Sequence, residues 1–334
     1  ALSFSVYGNV DGWSDLLWPH RWALYSFDAY INGARVYDYT FELTESSYFT
    51  AGVLCHEFFH VLGAPDLYHY NNTGAPDAVG GWDLMESTSN PPQYMGAFLK
   101  WKYGDWIPEI PEITSTGTYT LNPLQEQDNS SYKIASPNSD TEYYVLEYRV
   151  KEGAYDSNTP GSRDGLLVYR INTEAGNGNA QGPPDEVYLY RPGGTLTSQG
   201  SFVSAPYNSV WSHTELNDFT NPEPFLYNNG NGGPGGLNLL NVGAGGETIT
   251  FTISMGAPTI ELDQSSILFE MAPNEFQSKN IVLSNGGDLE TLLMFNLSSV
   301  SLPFSNPVSG PDGGGYYWTS SENDNNLGFN WIDI

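Results

Sequence analysis

The sequence predicts an α+β fold in which a helix-bearing region is followed by a β-rich segment and a small β-sandwich. Nearly all of the helical signal lies in residues 1–106. From there to about Met255, short strand-like runs are separated by long loops rich in Gly, Asn and Pro. Beyond Gly256-Ala257-Pro258, which resembles a linker, short strands alternate with polar turns. We therefore divide the chain into residues 1–106, 107–257 and 258–334, a total length that is enough for two domains with their own cores.

Two helices are predicted in the first region. The first covers residues 48–62, where apolar residues group at helical spacing, and Gly63 ends it. Its candidate N-caps are Thr44, Ser46 and Ser47. The second helix has its body at residues 94–103, with Asn90 as its N-cap and Gly104 after its end.

The strands are predicted from runs rich in β-branched and aromatic residues. In the second region they are residues 118–121, 142–148, 165–171 and 248–253. In the third region they are residues 259–262, 266–269, 279–283 and 292–295, which together indicate a small Ig-like sandwich. The tyrosines of 141–148 and 187–190 are expected to pack in strands and not to form a sugar-binding platform.

The charge balance excludes two classes of partner. Lys and Arg total 11 against 39 Asp and Glu, which gives a formal net charge of −28. Such a surface repels nucleic acid and anionic membranes. The acidity favours a solubilising surface in an external medium, with Ca2+ sites expected for a few of the carboxylates.

Cysteine count, hydropathy and composition bear on the location of the protein inside or outside the cell. Cys55 is the one cysteine, so no internal disulfide can form, and its apolar neighbours predict a small buried residue. No stretch approaches 18 apolar residues, which predicts no membrane span. Low Lys content and abundant Gly, Asn, Ser and Tyr are typical of a secreted or cell-surface bacterial protein.

The strongest chemical signal is the pattern HExxHxxGxxD at residues 56–66. His56 and His60 are four apart, so a helix places them on one face about 6 Å apart along its axis. Both imidazoles can then reach one Zn2+, with Glu57 beside it as a proton acceptor. Gly63 allows a sharp exit that can bring Asp66 back as a third ligand, which is the open donor set of a catalytic zinc site.

Several residues around this motif have two readings. The two histidines could be hydrogen-bonded groups of a buried helix, and His69 could compete with Asp66 because imidazole is also a good zinc ligand. Asp77 and Asp83 either bind Ca2+ or cap turns, and turn-capping is the expectation. His20 and Tyr68 are candidate substrate or supporting groups, with a structural role favoured for both.

Residues 80–87 form a Gly-rich segment with Met85 near its tip. Such a turn could place an apolar floor beneath a metal site, and the alternative is an ordinary core methionine.

The chain resembles the immune inhibitor A-type metallopeptidases, a secreted bacterial group related to the metzincins, from about residue 12 to about residue 190. The HExxHxxGxPDxY and WDLM blocks are the specific part of this resemblance. The residues that carry it are 18–22, 36–40, 55–60, 63–68, 82–85, 144–149, 160–161 and 165–169.

The resemblance implies roles for individual residues. His56, His60 and Asp66 would be zinc ligands, Glu57 the general base and Met85 the methionine of a metzincin-like Met-turn. Some metzincins have a Tyr ligand two residues past that methionine, where this chain has Ser87, so that role is not assigned. Metzincin-type domains also place a substantial N-terminal subdomain before the zinc helix. Only 55 residues precede His56, so we expect that part of that subdomain is absent here or that it is unusually small, and that the β-sandwich module is truncated.

The function predicted first is a zinc-dependent endopeptidase that acts on proteins or peptides. Two alternatives stay open. One is a surface or adhesion protein that retains a zinc site without a complete cleft, and the other is calcium-dependent glycan binding by the β-rich half.

Overall fold

The structure is a computed structural model that describes residues 1–8, 18–71, 74–126, 128–256, 259–267, 276 and 278–286. The chain divides into a first unit, Ala1–Leu292, and a second, Leu293–Ile334, which lies outside the described residues. The predicted linker residues 257–258 and the predicted strand 292–295 also lie outside them. The first unit is mostly β-structure with few helices.

A small mixed sheet precedes the first helix. Its strands are β1 (Leu2–Val6), β2 (His20–Ala23) and β5 (Asp38–Leu43), in the order β1-β5-β2, with β1 parallel and β2 antiparallel to β5. A separate hairpin pairs β3 (Ala29–Ile31) with β4 (Ala34–Val36).

The residues of β5 alternate between the two faces of the sheet. Thr40 and Glu42 are buried on the face that meets the helix, because side chains two apart share a face. The 55 residues before His56 therefore do contain a β-sheet.

Helix α1 (Ala51–Val61) carries both histidines of the motif. Its N-cap is Thr50, whose hydroxyl accepts a hydrogen bond from the Val53 amide at 3.2 Å. The predicted caps Thr44, Ser46 and Ser47 were wrong, since the helix starts later than its apolar pattern does. Gly63 follows its end with φ of 101°, as the sequence predicted.

The prediction that Cys55 is buried was also wrong. Cys55 is exposed, although Gly52 and His56 of the same helix are buried.

The second helix is shorter than predicted. It consists of α2 (Ala97–Leu99), which runs into one wider turn at Lys100–Gly104, and its N-cap is Gly96, not Asn90. The reason is that buried carboxylates take up the amides of Tyr94, Gly96 and Ala97 at 2.6–3.0 Å. These amides fix the preceding segment in an extended path, so the helix cannot begin earlier.

The β-rich part contains two antiparallel sheets. The larger has the order β10-β9-β8-β7, and the smaller has the order β11-β12-β6. Their strands are β6 (Gly117–Leu121), β7 (Ser131–Ala135), β8 (Glu142–Arg149), β9 (Gly165–Asn172), β10 (Val187–Leu189), β11 (Leu239–Leu240) and β12 (Ile249–Ile253). The four strands predicted in this region coincide with β6, β8, β9 and β12 to within one residue at each end. β9 is buried along its whole length, including the polar Arg170 and Asn172 near its end.

Beyond this region the described residues show one pair of short strands, β13 (Ile260–Leu262) with β14 (Leu283–Asn285). The predicted strand 279–283 is thus displaced towards residue 285, and residues 266–267 of another are not in a strand.

One continuous apolar core joins the first two regions, from Phe59 of α1 to Ile253 of β12. Phe59 stacks on Trp106 with ring centroids 5.3 Å apart, so the helix that bears the motif is part of this core. No helix among the described residues is long and apolar enough to cross a membrane.

Candidate metal centre

Three potential ligands from α1 and the loop after it converge on one point. The Nε2 atoms of His56 and His60 lie 3.0 and 3.3 Å from Oδ1 of Asp66. All three ligand atoms are within 4.8 Å of one another, and this is the one cluster of its kind in the part of the chain that the structure describes. Asp66 reaches the histidines because the chain reverses at Gly63.

The Nδ1 atom of each histidine ring already makes a hydrogen bond to the backbone. Nδ1 of His56 is 3.0 Å from the Leu84 carbonyl oxygen, and Nδ1 of His60 is 2.7 Å from that of Ala64. A carbonyl oxygen can only accept, so each Nδ1 carries the hydrogen and donates it. In the neutral rings the Nε2 atoms are then lone-pair acceptors directed at Asp66.

The Asp66 carboxylate is held in a defined orientation. The Tyr70 hydroxyl donates to Oδ2, while the buried Oδ1 faces the two imidazoles and has no hydrogen-bond partner. Burial opposes ionisation, but the close contacts with His56 and His60 and the Tyr70 hydrogen bond outweigh it and hold the pKa of Asp66 well below its usual range. Asp66 is thus a carboxylate with one free oxygen facing the histidines.

The same cluster attracts positive charge. Burial lowers the pKa of His56, yet its contacts with Asp66 and Leu84 and the charge of Glu57 raise the pKa above its ordinary value. A cation held between the three atoms would replace the proton that His56 binds more readily here. The two nitrogens, one carboxylate oxygen and their unpaired acceptor character fit Zn2+.

Glu57 lies on the side of α1 that faces the sheet and is buried. Burial raises the pKa of Glu57, and the two histidines and the Arg21 amide act in the opposite direction. Behind it, Glu42 of β5 is 1% exposed, and burial followed by the charge of Glu57 raises the pKa of Glu42 to about 7. Glu57 is therefore a carboxylate whose affinity for a proton is increased.

Two further candidates, Tyr68 and Met85, lie near the cluster, one through its ring and the other through its backbone. The Tyr68 ring is nearly parallel to that of His56, with centroids 6.5 Å apart, and burial raises the pKa of its hydroxyl. Met85 is fully buried in the core, and its carbonyl accepts the Leu67 amide at 2.9 Å, next to Asp66.

His20 is not brought to the cluster. It pairs with Phe41 across the sheet and stacks on that ring at 5.6 Å, on the face opposite to Thr40 and Glu42. Its Nδ1 lies 2.6 Å from the carbonyl oxygen of Trp18.

His69 does not compete with Asp66 for the cluster. Its Nε2 lies 2.6 Å from Oδ1 of Asp185, and that contact raises the pKa of His69. Asp83 caps its own turn, as predicted, because Oδ1 accepts the Met85 amide at 2.8 Å. Asp77 accepts the Gln199 side-chain amide at 2.9 Å.

Sequence reasoning missed three contributors to the site. Tyr70 follows Asp66 by four residues, and a hydroxyl so close to a candidate ligand was a usable signal. The Leu84 carbonyl and Glu42 gave no such signal. The Leu84 carbonyl is a backbone group 28 residues from His56 along the chain, and the position of Glu42 depends on the register of the sheet.

Comparison with known families agrees with this geometry. Residues 6–99 match the family model described as the immune inhibitor A peptidase M6, catalytic domain. The predicted resemblance is confirmed over these residues. An M6 peptidase domain is a metallopeptidase domain, and its matched range contains all three converging ligands.

Curated relatives match over short stretches. Immune inhibitor A of Bacillus thuringiensis subsp. alesti is 29% identical over 115 residues, which are 28% of this chain and 16% of that protein. The pre-pro-metalloprotease PrtV of Vibrio cholerae serotype O1 (strain M66-2) is 32% identical over 94 residues, 25% of this chain and 10% of that protein. The chain thus aligns with less than a fifth of each relative. No solved structure matches it.

Proposed function

We propose that this protein is a secreted zinc-dependent endopeptidase that hydrolyses peptide bonds of proteins. The observation that supports it best is the convergence of three atoms, from His56, His60 and Asp66, which are all acceptors when both rings are neutral. Such an arrangement is repulsive unless a cation or protons occupy it. The match to a metallopeptidase domain supports the proposal from sequence alone.

The residues have separate tasks in this proposal. His56, His60 and Asp66 would hold Zn2+, and a fourth position would be left for water. Zn2+ held there would supply a water of lowered pKa and an electrophilic centre for the scissile carbonyl. Glu57 accepts the proton from the attacking water and returns it to the leaving amine. Its burial favours this task, because burial strengthens its hold on a proton.

Other roles stay predictions from the sequence. They include the Met-turn role of Met85, a supporting role for Tyr68, Ca2+ binding by other carboxylates and the Ig-like nature of residues 258–334. The secreted location rests on composition and on the resemblance to a secreted bacterial group. Glycan binding by the β-rich half receives no support, because most of its strand tyrosines are core residues. The strand tyrosines that are at most 3% exposed are Tyr144, Tyr148, Tyr169 and Tyr188, and Tyr190 directly after β10 is fully buried.

The test compares the parent chain with Glu57→Gln. We expect about one zinc in each, and casein cleavage about 10²- to 10⁴-fold slower in the variant, since a general base contributes about that factor. Zinc content is measured by mass spectrometry and cleavage by a fluorescent casein assay. Glu223→Gln, at an exposed position of the β-rich part, is the matched control and should cleave like the parent.

Two results would contradict the proposal. A parent chain that binds no zinc would remove the metal centre. Zinc in both proteins without cleavage by either would leave a metal site without peptidase activity and favour the surface or adhesion alternative.

A further inference from the structure

The turn at residues 83–85 contacts one of the three converging ligands and the residue that follows another. The Leu84 carbonyl accepts from the His56 ring at 3.0 Å. The next carbonyl, that of Met85, accepts the amide of Leu67 at 2.9 Å, directly after Asp66. The position of this one turn therefore sets both the ring orientation of His56 and the backbone beside Asp66.

Asp83 holds this turn from inside. It is 2% exposed and uses both carboxylate oxygens. Oδ1 accepts the Met85 amide at 2.8 Å, and Oδ2 accepts the Gly96 amide at 2.6 Å. The carboxylate thus ties the turn to the segment that enters α2.

The segment that enters α2 is itself hydrogen-bonded to the large sheet. The Ala97 amide donates to Oε2 of Glu147 on β8 at 2.6 Å. The other oxygen of Glu147 accepts from Arg149 and from the Tyr169 hydroxyl, each at 2.9 Å. A row of buried, charge-assisted hydrogen bonds therefore runs from β8 and β9 to the turn beneath the histidines.

We propose that Asp83 is a positioning residue for the metal centre. It connects the turn at residues 83–85 to Gly96, whose segment is fixed to β8, and this turn orients His56 and the backbone next to Asp66. The inference rests on the zinc site of the proposed function. Partners one step behind metal ligands typically change metal affinity by about 10- to 100-fold when they are removed.

The decisive variant is Asp83→Asn. Its amide keeps one accepting oxygen but places a donor against one of the two backbone amides, so the turn loses one anchor. We expect the zinc dissociation constant to rise by about 10- to 100-fold in chelator competition. The visible spectrum of the Co2+-loaded chain should change as well, since it reports ligand geometry.

Asp156→Asn is the matched control. Asp156 is 1% exposed, accepts the Tyr94 amide at 3.0 Å and pairs with Arg149, so it anchors the same segment without contacting the turn. We expect it to lower the unfolding midpoint, as Asp83→Asn does, while its zinc dissociation constant and Co2+ spectrum stay close to those of the parent.

A milder variant covers the case in which Asp83→Asn does not fold. The Gln93 side-chain amide donates to carbonyls of Ser87, Gly81 and Asp83, which bracket the turn. Gln93→Met removes those bonds but leaves the Asp83 carboxylate in place, and zinc binding should weaken in the same direction.

The outcomes separate the two proposals. If a folded Asp83→Asn binds zinc as tightly as the parent, the positioning role alone is overturned. If Asp83→Asn does not fold, Gln93→Met takes its place, and equal zinc affinity in that variant has the same meaning. Equal weakening in Asp156→Asn also overturns it, because the effect would then be general destabilisation. A parent chain that binds no zinc overturns the metal centre itself.

Discussion

At the metal centre each histidine uses its two ring nitrogens for different tasks. One nitrogen donates to a backbone carbonyl, which fixes the tautomer, and the other faces Asp66 as an acceptor. Asp66 divides its oxygens in the same way, one towards Tyr70 and one towards the histidines. The hydrogen-bond partners around the ligands therefore determine which atoms are free to hold a metal.

Replacing Tyr70 by Phe tests this division. The hydroxyl fixes Oδ2 of Asp66, so its loss should weaken zinc binding, by about 10-fold if it acts as typical supporting partners do. The ring is 57% exposed, and unfolding free energy should change by less than about 0.5 kcal/mol. Chelator competition and urea unfolding measure the two quantities.

Tyr30→Phe is the control for this substitution. Tyr30 is 62% exposed and lies in the β3–β4 hairpin, so its hydroxyl should not affect zinc. Unchanged zinc affinity in Tyr70→Phe would mean that Asp66 is oriented by its backbone alone.

The candidate ligands were accessible from the sequence because they are local. His56, His60 and Asp66 lie within eleven residues of one helix and its exit loop, where spacing alone indicates which side chains meet. The Leu84 carbonyl could not be predicted, since a backbone atom has no residue identity and its approach depends on tertiary packing.

At the level of elements, α1 and α2 show what local pattern can and cannot determine. α1 was predicted to within three residues at its start and one at its end, because apolar spacing and Gly63 both act locally. α2 starts later because its leading amides bind Asp83, Glu147 and Asp156, which come from other elements. Local capping signals at Asn90 could not reveal that competition.

The packing of α1 on the segment after the turn gives a prediction at this scale. A Cβ atom at Gly52 would overlap the carbonyl oxygen of Ser89, so the helix and that segment approach closely at this glycine. Ala favours helix by about 1 kcal/mol over Gly. Overlap with backbone costs about 1–3 kcal/mol and more where neither side can shift. We expect Gly52→Ala to lower the unfolding free energy by about 1 kcal/mol in urea.

Gly246→Ala is the control for the packing effect. Nothing lies within 4 Å of a Cβ at Gly246, and unfolding free energy should change by less than about 0.5 kcal/mol there. A Gly52→Ala chain as stable as the parent would show that the Ser89 segment yields without cost.

At the scale of the whole molecule, the β-rich part holds the loop that carries Asp66. The Asp66 carbonyl accepts the Asn179 amide at 2.9 Å, and the Tyr70 amide donates to the Ala180 carbonyl at the same distance. Gly178, at φ of 70°, lies so close to Asp66 that a Cβ there would overlap its carbonyl. Composition separated residues 1–106 from 107–257, yet these contacts and one core join them, and long-range pairing of this kind leaves no local trace in sequence.

Zinc should therefore stabilise both halves together. The slowest-exchanging amides of β8 and β9 exchange only through global unfolding, so they report the stability of the whole cooperative unit. At a free zinc concentration 100 times the dissociation constant, a ligand bound only to the folded state adds about 2.7 kcal/mol. Hydrogen–deuterium exchange should then slow about 100-fold in α1, β8 and β9 alike, and His60→Ala should abolish the effect in all three. Slowing confined to α1 would mean that the β-rich part unfolds independently, and the shared core would not act as one cooperative unit.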